Sequence, residues 1–250
     1  MSRHPSRHVT RLLLASLLAG CSNSSPPIAD KPAVEQPAAA KTQSTPTASA
    51  PAASETLPLE EGFHRLALAD CEIFPADAAN WKEEGALLVT TGKPKSYLKT
   101  KTPFGDFTLR YDYRFPSPPK DPAKAPLANT GVLLFITGED AIWPKALEVQ
   151  GKHAEIGSIR PNGGAAEVAV HEVDGIRQSA THAVGEWNAI EVVARGGALT
   201  VGINGQKLLE SEAGELKSGH IGFQAEGHAV EFRNVRIQTA PAPTTAPAEQ

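Results

Sequence analysis

Through the stretch GDFTLRYDYRF, apolar and polar residues alternate. Phe107, Leu109, Tyr111, Tyr113 and Phe115 share one face, and Thr108, Arg110, Asp112 and Arg114 share the other. A period of two marks a half-buried antiparallel strand. TGVLLFITG is a nearly continuous apolar run of strand length and reads as a central strand. WNAIEVVARGGALTVGINGQKLLE holds three short strands. Its Gly196-Gly197 and Asn204-Gly205 pairs supply the positive φ angles that tight hairpins need. SGHIGFQAEGHAVEFRNVRIQ reads as a final pair of strands around Gly227. In the second of these, Val230 and Phe232 are out of phase with Val235 and Ile237, which predicts a bulge near Arg233-Asn234. No segment has the period of an amphipathic helix. Short strands with turn signals at intervals of roughly ten residues predict an all-β sandwich of two packed antiparallel sheets. The proline cluster PSPPKDPAKAP, residues 116–126, predicts a long connection that could rim a site.

The two ends follow other patterns. MSRHPSRHVTR carries three arginines and no acid, and is followed by the apolar run LLLASLLA. That run falls short of the about 20 apolar residues a membrane span needs, so residues 1–20 read as a secretory signal. Its end, Leu18 to Cys21, resembles a bacterial lipobox, which makes Cys21 the lipidation site and the new N-terminus. Acyl chains there would anchor the protein at the bacterial cell envelope, with each buried methylene adding about 0.8 kcal/mol. Ser22 follows in place of a retaining aspartate, which favours the outer membrane. Residues 21–57 form a linker rich in Pro, Ala, Ser and Thr that cannot repay the entropy of ordering and reads as disordered. As a coil it would reach about 35 Å. Residues 240–250 read as a similar disordered tail, leaving residues 58–239 as one domain.

Charge and cysteine content narrow the classes. The formal charge is −4, and losing three arginines with residues 1–20 takes it to −7. With no basic patch, nucleic acid is excluded as a partner. Only two cysteines are present. With Cys21 acylated, Cys71 is a lone thiol that reads as a small buried hydrophobe.

The stretch WPKALEVQGKH, residues 143–153, concentrates candidate chemistry. Along ALEVQ, Leu147 and Val149 point one way while Glu148 and Gln150 point the other, about 7 Å apart on one surface. Lys145, Lys152 and His153 flank them. Trp143, beside a proline, suits either a core position or a platform for a sugar ring. His171, His182, His220 and His228 show no metal-ligand spacing, and a divalent cation held by Glu148 and a histidine remains open.

The motifs NWKEEGALLVT, FGDFTLRYDYRFP, NTGVLLF, WPKALEVQ, GEWNAIEV, VGINGQKL and GHIGFQAEGHAVEFRNVRI occur in that order. Together they resemble the 3-keto-disaccharide hydrolase domain over about residues 63 to 238. The resemblance implies a concanavalin A-like jelly roll whose concave sheet meets carbohydrate. It also implies activity on glycosides oxidised to a ketone at carbon 3. The family's Asn-Ser-Gly signature falls on Asn129-Thr130-Gly131, and its Glu-x-Gln strand on Glu148-Val149-Gln150. Its later elements fall on Gly222-Phe223-Gln224 and Phe232-Arg233-Asn234, and some members carry histidine where Glu226 stands. Ile136 occupies a position where many members place arginine.

Laminarinase-type hydrolases of the same broad fold use carboxylates at i and i+2 of one strand. Here Gln150 and Lys152 stand where further acids belong, which argues against ordinary retaining hydrolysis. A 3-keto sugar needs less. Its ketone acidifies the proton on carbon 2, so one base forms an enolate and the aglycone on carbon 1 leaves by β-elimination, with hydration after it. Glu148 is the first choice for the base and His153 the second. Lys145 or Lys152 would steady the enolate. Asn129, Trp143, Gln150, Gln224, Glu226 and Arg233 complete the expected sugar contacts. Two readings stay open: an envelope enzyme cleaving keto-sugar glycosides, and a non-catalytic lectin-like module. Under the blander reading Glu148 is a solvated residue paired with Arg233, His153 is a loop histidine, and Arg233 only fixes the bulge.

Overall fold

The computed structural model describes residues 58–239. The expectations for residues 1–57 and 240–250, including Cys21, lie outside the described residues. The strands in chain order begin with β1 (His64–Arg65), β2 (Cys71–Phe74), β3 (Trp81–Glu84), β4 (Leu87–Thr90) and β5 (Ser96–Thr100). β6 (Phe107–Arg114), β7 (Gly131–Thr137), β8 (Lys145–Gln150), β9 (Ile159–Asn162) and β10 (Val170–Glu172) follow. The last are β11 (Asn188–Arg195), β12 (Ala198–Ile203), β13 (Gln206–Ser211), β14 (His220–Ala225) and β15 (Val230–Thr239). Among the described residues, one short α-helix, α1 (Ile176–Ala180), and three single 3-10 turns interrupt them. No helix among the described residues is long and apolar enough to cross a membrane.

The strands form two antiparallel sheets. One runs β10-β13-β12-β11-β6-β15-β4-β3, with β1 also paired to β15; the other runs β2-β5-β14-β7-β8-β9. Many neighbours within a sheet are distant in sequence, so the chain winds as a jelly roll. The alternation in β6 decides its orientation: Phe107, Leu109, Tyr111 and Tyr113 are buried between the sheets. They meet Val132, Leu134, Leu147, Val149 and Phe223 from the six-stranded sheet in one continuous core. Edge-on and tilted ring pairs, such as Tyr111 with Phe223 at 6.0 Å, join the layers. Cys71 belongs to this core, where burial pushes its thiol up to about 12 and leaves no nucleophile at neutral pH.

The hairpins form where expected. Gly196, Gly197, Asn204 and Gly205 all have positive φ, the conformation of a primed turn. The bulge is present as well. Register shifts between Arg233 and Arg236, with Asn234 at φ 52°. The strands around Gly227 do not pair with each other. β14 lies in the six-stranded sheet and β15 in the nine-stranded one, so the Gly227 turn crosses from layer to layer.

Candidate functional site

The site is built on the outward face of the six-stranded sheet. On β8, Leu147 and Val149 enter the core, which sends Ala146, Glu148 and Gln150 to the opposite side. Ladder register gives the neighbours on that face. Tyr97 pairs with Gln224 and Gly131 with Gln150, while Leu133 pairs with Glu148 and Glu148 with Arg160. Tyr97, Leu133, Ile136 and Ala146 form a small apolar patch beside these polar groups.

Glu148 is only 8% exposed and Gln224 only 2%. Glu148 Oε1 and both amide atoms of Gln224 lack hydrogen-bond partners, as do Asn129 Oδ1 and Asn162 Nδ2. Each unsatisfied buried polar atom costs about 1–3 kcal/mol, so a cluster of them on one face is where a bound ligand or water gains most. Gly131 makes the arrangement possible. A Cβ there would sit 2.2 Å from Gln224 Oε1 and 2.2 Å from Glu148 Oε1. The carboxylate and the amide thus meet over the bare backbone of residue 131, no farther apart than twice that distance. Next to them, Asn129 Nδ2 donates to Glu226 Oε2 at 2.6 Å, and the Asn129 backbone N–H donates to His228 Nδ1 at 3.2 Å.

Burial pushes the Glu148 carboxyl from 4.5 up to about 7. The like charge of Glu226 adds to the rise, and Arg160 opposes it. Glu226 is also raised by burial, against the pull of Lys95. A carboxyl that titrates near neutrality suits a general base at physiological pH. Gly131→Ala is expected to displace both Glu148 and Gln224 while costing less than about 1 kcal/mol of stability, because the atoms that must move are the tips of flexible side chains. Any turnover that depends on these two groups should drop at least about tenfold, a barrier increase near 1.4 kcal/mol. Parallel denaturation and kinetic measurements check this, and undiminished turnover would mean that the two groups need not meet there.

A loop, residues 138–144, reaches over this face at two points. Asp140 accepts two hydrogen bonds from Lys99 Nζ, at 2.8 and 2.6 Å, and Glu72 lies 3.0 Å from the same ammonium. Three residues on, the Trp143 ring carries Lys95 Nζ 4.8 Å from its centroid. Trp143 is 43% exposed, so it is a surface ring and not core.

The structure brings together Glu148, Gln150, Asn129, Gln224 and Glu226, with Trp143 beside them through Lys95. It does not bring in the remaining expected residues. Lys145 lies one position out of phase with Glu148 and pairs with Glu215 at 3.0 Å. Lys152 Nζ pairs with Glu155 at 2.8 Å, while its backbone N–H fixes Gln150 Oε1. His153 Nε2 donates to the His182 carbonyl at 2.8 Å. Arg233 lies on the other sheet, bonded to Asp112 at 2.9 Å and stacked 4.1 Å over Trp187, so it is no partner of Glu148. Its observed contacts are those of a residue that fixes the bulge. Lys95, Arg160 and Asn162 escaped the sequence reading. Among the described residues, no group of three or more His, Cys, Asp or Glu could hold a metal ion.

The model of the 3-keto-α-glucoside-1,2-lyase-like domain matches residues 71–238, more than half of the chain. The chain belongs to this family. The match includes every residue of the polar cluster on the six-stranded sheet. Among solved structures, a candidate glycosyl hydrolase from Parabacteroides distasonis is similar at 20% identity. The alignment has a TM-score of 0.53 and covers 71% of this chain and 99% of that one. A second from the same organism gives 18% identity and TM-score 0.49, covering 69% and 89%. A carbohydrate-binding module from Bacillus subtilis gives 14% and 0.45, covering 71% and 96%. At 20% identity the first of these likenesses is one of fold. No curated protein matches the chain. Membership of a lyase-like family places the protein among carbohydrate-active enzymes.

Proposed function

We propose that the protein cleaves 3-keto-glycosides by β-elimination, with Glu148 as the base. The observation that carries this reading is the unpartnered, desolvated Glu148 carboxylate set against Gln224 over Gly131. In the proposed reaction the carboxylate takes the proton from carbon 2. The electron pair moves to the C2–C3 bond and charge appears on the carbon 3 oxygen, where the free Gln224 Nε2 donates a hydrogen bond. The enolate then collapses: the carbonyl re-forms, a C1–C2 double bond forms, and the C1–O bond breaks. The departing oxygen takes up a proton, and the protonated Glu148 is a source for it. Addition of water across C1–C2 turns the elimination into net hydrolysis. Asn129 and Glu226, one step along the same face, contact sugar hydroxyls, and the exposed Trp143 ring stacks on the ring or its aglycone.

Incubation of the purified protein with a 3-keto-α-glucoside tests the reading. An unsaturated keto sugar, or 3-keto-glucose after hydration, is the expected product by mass spectrometry. Tight binding with no product on any 3-keto-glycoside would leave the lectin-like function in its place. We further propose that Cys21 carries the lipid anchor that holds the enzyme at the cell envelope. Labelled palmitate should enter the wild-type chain and not Cys21→Ser; equal labelling would remove the anchor.

A further inference from the structure

Charge on the carbon 3 oxygen calls for a cation, and most cations near the face are already engaged. Lys99 is held by Asp140 and Glu72, and Arg160 pairs with Glu155. Lys145 and Lys152 are tied to Glu215 and Glu155. Lys95 differs. Among the described residues no carboxylate stands within ion-pair distance of it, and its ammonium rests on the Trp143 ring at 4.8 Å. Such a contact with an exposed ring holds the group by only about 0.5–1 kcal/mol, little enough to surrender to a substrate.

Its place on the sheet is favourable too. Gln224 pairs with Tyr97 and Ala225 with Ser96, so Lys95 and Glu226 are the next step beyond that ladder. Consistent with this, the Lys95 charge is felt by the Glu226 carboxyl. Side chains of one strand alternate, which sends Lys95 to the same face as Tyr97 and Lys99. β5 and β7 flank β14, about 10 Å apart, and the Glu148 carboxylate reaches from β8 to lie over Gly131 of β7. A lysine side chain and a pyranose ring bridge that gap together.

We propose that Lys95 is a catalytic residue of the elimination set out above. Its ammonium leaves the Trp143 ring and donates to the carbon 3 oxygen as that oxygen gains charge. This inference rests on the proposed reaction and adds the cation that Ile136 does not provide. The proton balance is unchanged: the carbon 2 proton goes to Glu148, and Lys95 keeps its own throughout, sharing a hydrogen bond with the enolate oxygen.

The test separates enolisation from loss of the aglycone. A 3-keto-1,5-anhydroglucitol has no group to expel, so its carbon 2 proton exchanges in deuterated water only through the enolate. Lys95→Met is expected to slow enzyme-dependent exchange about 10- to 100-fold, and to slow cleavage of nitrophenyl and alkyl 3-keto-glucosides by the same factor. Lys95→Arg should recover most of both rates, and thermal denaturation should find all three proteins folded. Undiminished exchange in Lys95→Met overturns the role, whether or not cleavage of the alkyl glucoside slows. A wild-type protein that neither exchanges nor cleaves removes the proposed reaction and this inference with it. An active wild type with an equally active Lys95→Met removes Lys95 alone.

Discussion

Glu148→Gln is expected to lower cleavage of a 3-keto-glucoside by about 10²- to 10⁴-fold, the usual contribution of a general base. The same substitution should stabilise the protein at pH 8 by up to about 3 kcal/mol. The sign follows from proton binding. Burial holds the folded carboxyl at about 7, above its ordinary 4.5, so between those values the folded state binds more protons than the unfolded state. Stability therefore falls as pH rises from about 4.5 to about 7, and stays at the lower level above. The neutral amide of glutamine escapes that loss, so the two proteins should be equally stable near pH 4 and diverge by pH 8. Urea denaturation at both pH values, beside steady-state kinetics, reads both effects. A difference in stability that ignores pH, or unchanged turnover, would remove Glu148 from the part assigned to it.

Phe232→Ala should cost about 3–5 kcal/mol, among the largest effects of any single core substitution. Phe232 is fully buried. Its ring lies 5.4 Å from Phe223, 6.1 Å from Trp81, and 6.2 Å from both Tyr111 and Tyr113. It touches aromatic partners from both sheets, so truncation opens a cavity that neither layer can close alone. Phe223 stands between Gly222 and Gln224, and the damage reaches the floor of the site. Denaturant midpoints measure the loss. A cost below about 1 kcal/mol would mean that the rings around Phe232 collapse into the vacancy.

The fold was legible wherever alternation was clean. β6 declared its buried face, the GG and NG pairs declared their turns, and the phase slip between Phe232 and Val235 declared the bulge. Partner choice was less visible, because period and phase say which side of a strand is apolar and not which sheet the strand joins. The strands around Gly227 therefore read as a pair although they belong to different layers, and Arg233 read as a sugar contact although it lies across the sandwich from Glu148. Glu148 and Gln150 were found from parity alone. The same parity places Lys145 on the opposite side, a signal that was present and passed over. Lys95 left no trace of this kind. It precedes β5, a strand buried along its whole length that shows no alternation from which to take a face. Nor could sequence reveal how deeply Glu148 is buried, since that depends on the approach of Gln224 and on Gly131 having no side chain.

The pairing of β1 with the far end of β15 has a practical outcome. His64 stands opposite Ile237, so the domain's two ends adjoin on the nine-stranded sheet, across the sandwich from Glu148. A support, tag or fusion partner joined at either end takes hold of the molecule from behind, leaving the Glu148 face turned toward the medium.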